Sequence, residues 1–350
     1  MQGIFFIVGT GRSGTNICQK MLNLHPDIKV IGETHFIQTL VLRFGSDTVT
    51  FNEFFEIIDE HYFSNGTNKW THNHLKASGI DPNTFYSDFK IFCAQMNQGT
   101  IREFVEAFFR FCYGEGTYFL GDKTPFYGMH MAKILKLWPD AKFIHLVRDG
   151  RYAATSMQKH GGFVRRINAG FHKEKEFDNF LQIEDQYKGM LSFYSEESVA
   201  LISCIQLWKK IINQIRYESE NIPHDTYLEV RYEDLVRQPI SELRRIGKFL
   251  DISLPLTWLA KACQVPRPFT IWKQRKRISG AEYDSLTKEA ASMLKVFNYE
   301  TVHHHPKQII QVRSDVKELF NWVIFHGILA KAIAIANLLR EQNKANQRCT

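Results

Sequence analysis

The 350-residue chain is short of several things that would point to common classes of protein. Its six cysteines, at 18, 93, 112, 204, 263 and 349, show no Cys-x-x-Cys spacing and no paired rhythm, which argues against a zinc site and against a disulfide framework. Cys18, beside Ile17 and Met21, reads as a small buried thiol. No basic region precedes Gly3–Val8, and that apolar run is too short for a signal peptide or a spanning helix, so the expected location is reducing and cytoplasmic. No basic run with interleaved aromatics is placed like a nucleic-acid module, so nucleic acid is not an expected partner. Neither an internal repeat nor a low-complexity linker stands out.

The composition itself is that of a globular protein. Apolar residues make up 44%, ample for a core, and 44 basic against 37 acidic residues leave +7, which suits an anionic ligand. Strands expected at 3–9, 28–31, 118–120, 141–147 and 226–231 alternate with helices at 15–24, 128–137, 151–159, about 198–218 and 240–250. That alternation predicts an α/β fold with a mainly parallel sheet covered by helices on both faces. One such domain is expected over 1–305, followed by a C-terminal helical extension over 306–350. Between the second and third strands lies an aromatic-rich, helical insertion, about 35–115. There Phe104, Phe108 and Phe111 have helical spacing and are expected to pack.

The most informative segment runs from Ile4 to Asn16: an apolar strand stops at Gly9-Thr10-Gly11-Arg12-Ser13-Gly14-Thr15-Asn16 and reopens as a helix. Glycines let successive backbone N–H groups point inward, and the helix N-terminus adds partial positive charge, so this P-loop-type turn can hold a phosphate without a metal. Thr15 stands where a Walker A loop has its lysine. That argues against ordinary ATP or GTP hydrolysis, because the lysine normally reaches the transferred phosphoryl group. Arg12 is the replacement cation within the loop. An apolar run ending in a metal-binding Asp is also missing, since the strand at 141–147 ends in Arg148 before Asp149.

Arg148, at the carboxyl end of that strand, sits where open α/β sheets bind ligands. It can donate a planar pair of hydrogen bonds to a phosphate, and Ser156, about two helical turns on, can add a hydroxyl. Two anion sites on one sheet edge imply a ligand with two separated anionic groups.

Taken together, the Gly-Thr-Gly-Arg-Ser-Gly-Thr-Asn loop, the Leu146-Val147-Arg148-Asp149-Gly150-Arg151 segment with Ser156, and Val230-Arg231-Tyr232-Glu233-Asp234-Leu235-Val236 resemble the PAPS-dependent sulfotransferases. The likeness is closest to the branch of protein-tyrosine sulfotransferases and their bacterial relatives, and covers about 1–36, 118–160 and 225–300. It implies that Gly11, Arg12, Ser13, Gly14, Thr15 and Asn16 hold the 5′-phosphosulfate of 3′-phosphoadenosine 5′-phosphosulfate (PAPS), and that Arg148 and Ser156 hold its 3′-phosphate. The product would be adenosine 3′,5′-bisphosphate (PAP), and no metal is implied.

The resemblance also implies catalytic roles. Glu33, in Gly32-Glu33-Thr34-His35, matches the family's general base, with His35 as the runner-up. A base is needed because a neutral hydroxyl is a poor nucleophile. The second strand, which Glu33 ends, is expected beside the first. Lys123, in Gly121-Asp122-Lys123-Thr124-Pro125, matches the lysine that contacts the bridging oxygen, and pairs with Arg12 as a stabiliser of developing charge. A surface lysine paired with Asp122 is the other reading. Tyr232 matches a cofactor contact, and a core tyrosine with a satisfied hydroxyl stands beside it. His160 falls where the tyrosine branch often has a second basic residue. Val265–Arg277 has the flavour of a late cofactor loop in which only Thr270 offers a hydroxyl; Arg267 and Lys273 are phosphate donors or merely solvated, and Trp272 is a packing anchor.

The expected reaction is in-line transfer of the sulfuryl group to the hydroxyl (or amine) of a peptide, glycan, lipid or small molecule. Arg165 and Arg166 would face an acidic acceptor or lie in a solvated loop. The apolar stretch 319–339 would be a buried or dimer-forming helix, or a contact with a membrane surface; Asn321, His326, Lys331 and Asn337 interrupt it. The competing classes are a P-loop small-molecule or nucleoside kinase and a non-catalytic nucleotide-binding protein.

Overall fold

The computed structural model describes residues 3–45, 47–62, 76, 81, 84–93, 96–114, 116, 118–173, 197–266 and 278–301. The stretches 267–277 and 306–350, with the late loop and the apolar segment 319–339, lie outside the described residues. Among the described residues no helix is long and apolar enough to cross a membrane.

In chain order the elements are β1 (Gly3–Gly9), α1 (Thr15–Leu22), β2 (Ile28–Gly32), α2 (Phe36–Phe44), β3 (Thr48–Thr50), α3 (Phe51–Tyr62), α4 (Phe85–Phe92), β4 (Gln98–Thr100) and α5 (Ile101–Tyr113). They continue with β5 (Phe119–Lys123), a 3-10 turn (Pro125–Met129), α6 (Met131–Leu137), β6 (Lys142–Val147), α7 (Gly150–Met157), α8 (Gly161–Asn168) and α9 (Leu201–Glu220). The last are β7 (Tyr227–Arg231), α10 (Tyr232–Arg237), α11 (Pro239–Leu250), α12 (Leu256–Ala262) and α13 (Gly280–Val296).

The five strands expected from the sequence form one parallel sheet in the order β2-β5-β1-β6-β7. Alternation along β1 splits its side chains between two cores. Ile4, Phe6 and Val8 join a cluster with Phe36, Phe54, Phe108, Phe143 and Trp208 on one face. Phe5 and Ile7 join Cys18, Met21, Leu243, Ile246 and Trp258 on the other. Burial on both faces is what a parallel sheet requires, because its crossover helices must cover both sides.

One expectation about order is corrected. β2 does not lie beside β1; β5 pairs with both and separates them, with Ile28 opposite Phe119 and Gly3 also opposite Phe119. All five residues of β5 are buried, as befits an inner strand. The strand expected at 118–120 runs on, and Gly121, Asp122 and Lys123 complete it. Register then sets Gly32 opposite Lys123 and brings the exits of β2 and β5 together.

The insertion is not purely helical. β3 and β4 form a two-stranded antiparallel ribbon, with Thr48 opposite Thr100 and Thr50 opposite Gln98, and each strand runs straight into a helix. The two units share a short repeat, Thr50-Phe51-Asn52-Glu53-Phe54-Phe55-Glu56 and Thr100-Ile101-Arg102-Glu103-Phe104-Val105-Glu106, against the expectation of none. In both, the threonine hydroxyl accepts from the glutamate N–H at 3.2 Å while the glutamate carboxylate accepts from the threonine N–H, a reciprocal helix cap. Phe54 and Phe104, equivalent in the repeat, stack at 4.8 Å. Phe104 and Phe108 are fully buried and Phe111 is partly buried against the same core, as their spacing predicted.

Candidate active site

The turn after β1 is built for close backbone approach. Gly11, Arg12 and Gly14 all have left-handed backbone, with φ of 71°, 56° and 99°. Such a run curls N–H groups around a common centre and is strained at a non-glycine residue. A Cβ on Gly14 would sit 2.3 Å from the Tyr232 ring, so tyrosine and loop require one another's shape. α1 then begins with Gly14 as its cap, no side-chain capping bond and no acidic residue in the first turn. The Ser13 hydroxyl is buried and has no hydrogen-bond partner, while Asn16 is exposed and Thr15 buried. Unspent donors at a helix N-terminus fit an anion.

The second segment stands directly against this loop. Arg148, buried, donates from Nη1 to the Arg12 carbonyl at 2.6 Å, and its guanidinium lies 5.1 Å from the Tyr232 ring centre. Arg12 is exposed and donates from Nε to the Ser156 hydroxyl at 3.0 Å. Arg12, Arg148, Ser156 and Tyr232, drawn from positions 12 to 232, therefore meet at one place. Tyr232 is buried and packs its ring against the loop at Gly14.

Glu33 and Lys123 meet at the neighbouring strand exits. The Lys123 ammonium bonds Glu33 Oε1, the Glu33 N–H donates to the Lys123 carbonyl at 3.0 Å, and His35 Nε2 lies 3.5 Å from Glu33 Oε2. Lys123 is 0% exposed, which rules out a surface lysine, and its ion-pair partner is Glu33. Burial would push the Glu33 carboxyl up, but His35 and the Lys123 charge outweigh it and bring it down to about 2. Burial lowers the Lys123 ammonium from its ordinary value, Glu33 and Asp122 oppose that, and the Arg12 charge adds to the lowering. His35 has φ of 57°, a strained value for histidine, so the backbone here is held by its surroundings.

Several residues without a role in the sequence pattern complete the site. Asp122, buried next to Lys123, accepts from the Thr34 and Thr124 hydroxyls, the latter at 2.7 Å, and the Thr34 hydroxyl also meets Tyr127 at 2.6 Å. Behind Arg148, Asp149 accepts a forked pair from Arg151 at 2.9 and 2.7 Å. Arg151 also donates to Thr287 at 3.1 Å and lies 4.4 Å from the Tyr283 ring centre, which docks α13 here. Glu233 accepts from the Asp149 N–H at 3.3 Å and from the Tyr299 hydroxyl at 2.7 Å; burial and then the Asp149 charge push its carboxyl up. The signal for these was the pair of segments Asp122-Lys123-Thr124 and Glu233-Asp234, whose acids look solvated until both neighbours are known.

His160 is half-buried and packs on Phe163 at 5.5 Å; burial, with Arg12 and Arg166 nearby, lowers its pKa. Arg165 and Arg166 lie on α8 and not in a loop, because Phe163, Val164 and Ile167 bury one helical face. Arg166 sits 5.4 Å from the Phe126 ring centre. Among the described residues, no group of three or more His, Cys, Asp or Glu is arranged to hold a metal ion.

The model of the sulfotransferase family matches residues 5–255. This chain belongs to the sulfotransferase family. Its relatives include the protein-tyrosine sulfotransferase of Drosophila melanogaster, 26% identical over 251 residues, or 71% of this chain and 38% of the fly protein. Protein-tyrosine sulfotransferase 2 of Gallus gallus is 24% identical over 314 residues, 88% of this chain and 65% of the chicken protein. The chain thus spans from about two fifths to just under two thirds of these relatives' length. Among solved structures, the sulfotransferase domain of the Synechococcus PCC 7002 olefin synthase shares the fold, with a TM-score of 0.54 at 19% identity, covering 85% of this chain and 95% of that domain.

Proposed function

We propose that this member of the family moves the sulfuryl group of PAPS to an acceptor hydroxyl. The observation that carries the reading is the meeting, on one sheet edge, of the uncapped Gly11–Asn16 turn, the Arg12–Arg148–Ser156 cluster and the Glu33–Lys123 pair. Open N–H groups and the unpartnered Ser13 hydroxyl fit a 5′-phosphosulfate, and Arg148 with Ser156 fits a second phosphate. Tyr232 backs both. When bound, PAPS supplies an activated sulfuryl group on a phosphosulfate anhydride.

Glu33 takes the acceptor proton. A carboxylate held near 2 is a weak base, and Lys123 is one cause of that hold. Once the ammonium turns toward phosphate, its hold on Glu33 loosens and the carboxylate becomes more basic. Lys123 and Arg12 then face the charge that grows on the departing 5′-phosphate, where fixed cations stabilise most. Protein cations in these positions supply charge that a metal would otherwise bring. The names of the relatives favour a tyrosine hydroxyl in a protein as acceptor, and Arg165 and Arg166 on α8 are suited to acidic residues beside it. A reducing, cytoplasmic location goes with this reading, in keeping with the buried thiols of Cys18, Cys93 and Cys204.

A kinase would instead use ATP with magnesium and would want a lysine at position 15. Thermal unfolding with PAP and, separately, with magnesium-ATP separates the two. Selective stabilisation by PAP is expected from ligand linkage; stabilisation by ATP alone would move the kinase class ahead.

A further inference from the structure

The Asp122 carboxylate collects the Thr34 and Thr124 hydroxyls at the exits of β2 and β5. Donor counting fixes the direction of each bond. The Thr34 hydroxyl spends its one hydrogen on Asp122 Oδ2, so it accepts from the Tyr127 phenol, whose oxygen in turn accepts from the Ile37 N–H at 3.1 Å. On the other side the Thr34 N–H donates to the Thr124 hydroxyl at 2.9 Å, which donates to Asp122 Oδ1 at 2.7 Å. Both chains end on a group that only accepts, so an ionised carboxylate satisfies all members without a reversed bond. Thr34 follows Glu33 directly, and Asp122 and Thr124 flank Lys123. Each end of the Glu33–Lys123 pair is thereby fastened to the same buried anion.

We propose that Asp122 is a positioning residue for the Glu33–Lys123 pair: its carboxylate cross-links the two strand exits through Thr34 and Thr124, and its negative charge keeps the buried Lys123 ammonium protonated for contact with phosphate. The groups that bear on this pair are Glu33 and His35 from the exit of β2, Arg12 from the loop after β1, Asp122 from β5 itself and His160 from the start of α8, with the Tyr127 phenol from the 3-10 turn beside Asp122. Two negative charges, Glu33 and Asp122, oppose the burial and the Arg12 charge that disfavour the ammonium. Asp122 is 0% exposed, and burial pushes its own carboxyl up to about 7, so it is fully ionised only above neutrality.

This inference rests on the PAPS reading of the site but needs no acceptor for its test. Calorimetric affinity for PAP is measured from pH 6 to 10 on the whole chain and on Asp122→Asn, Thr124→Val and Lys123→Met. The unaltered chain should lose affinity as the pH rises and Lys123 deprotonates, and Lys123→Met should lack that fall. In Asp122→Asn the fall should begin lower by about half a pH unit or more, because one supporting negative charge is gone. Thr124→Val, which keeps the charge but removes one hydroxyl that stabilises it, should shift the fall the same way by less, and serves if Asp122→Asn does not fold. A fall that stays in place in the variants, or an affinity lowered by one factor at every pH, would reduce Asp122 to a structural role and overturn the proposal. Failure of the unaltered chain to bind PAP at any pH would overturn the PAPS reading, and this inference with it.

Discussion

Two strand–turn–helix units lie side by side in the sheet and end their helices in opposite ways. After β1, helix α1 opens on Gly14 with no capping side chain and no acid in its first turn. After β6, helix α7 opens on Asp149, whose carboxylate accepts from the Arg151 N–H at 3.0 Å and is clasped by the Arg151 guanidinium. The first helix end leaves its N–H groups uncapped, which suits an incoming anion. The second spends them internally and offers a rigid base from which Arg148 and Ser156 reach out. On the PAPS reading, one fold makes two anion sites by different means, one from backbone and helix dipole, the other from side chains.

Opening the closed end should do the most damage. Asp149→Ala leaves the Arg151 charge buried without its partner and should cost about 3–5 kcal/mol in urea unfolding. It should also loosen α13, which Arg151 holds through Thr287 and Tyr283. Closing the open end is the reverse experiment. Asn16→Asp puts a carboxylate in the exposed first turn of α1; the helix should gain a few tenths of a kcal/mol, about 0.3–1 at most. PAP affinity should fall about tenfold or more from charge repulsion, more at low than at high salt. The smallest effect is expected where a helix end is closed far from any anion. Thr100→Ala removes one cap of the insertion's repeat and should cost about 1 kcal/mol by thermal unfolding, with PAP affinity unchanged.

The contrast also explains what could be read from the sequence. β1 and β6 are long apolar runs that stop at unusual residues, Gly9 and Arg148, so strands and loops were legible together. β5 was cut short because Asp122 and Lys123 are polar, and polarity in a single sequence signals solvent. They are buried by partners about 90 residues away, Glu33 and Thr34, which the strand order makes neighbours. The same order was misjudged: nothing in the residues of β2 states that β5 returns between it and β1. Arg12 stood out as the cation of its loop, and Lys123 through its Asp-Lys-Thr-Pro setting, which resembles the family's. Asp122, Tyr127, Glu233 and Tyr299 escaped because their importance lies in whom they touch. The repeat in the insertion escaped for a different reason. Its two copies agree only in the cap and the core phenylalanine, Thr50, Glu53 and Phe54 against Thr100, Glu103 and Phe104, with one flanking acid each.

The account stands on the division of labour between the two helix ends. Its most direct measurement is the affinity of the unaltered chain and of Arg148→Ala for PAP and for AMP, which lacks the 3′-phosphate. The unaltered chain should prefer PAP by about a hundredfold or more, and Arg148→Ala should bring the two within about threefold while keeping most of its AMP affinity. A PAP preference that survives in Arg148→Ala, or equal losses for both nucleotides, would contradict the assignment of the second site.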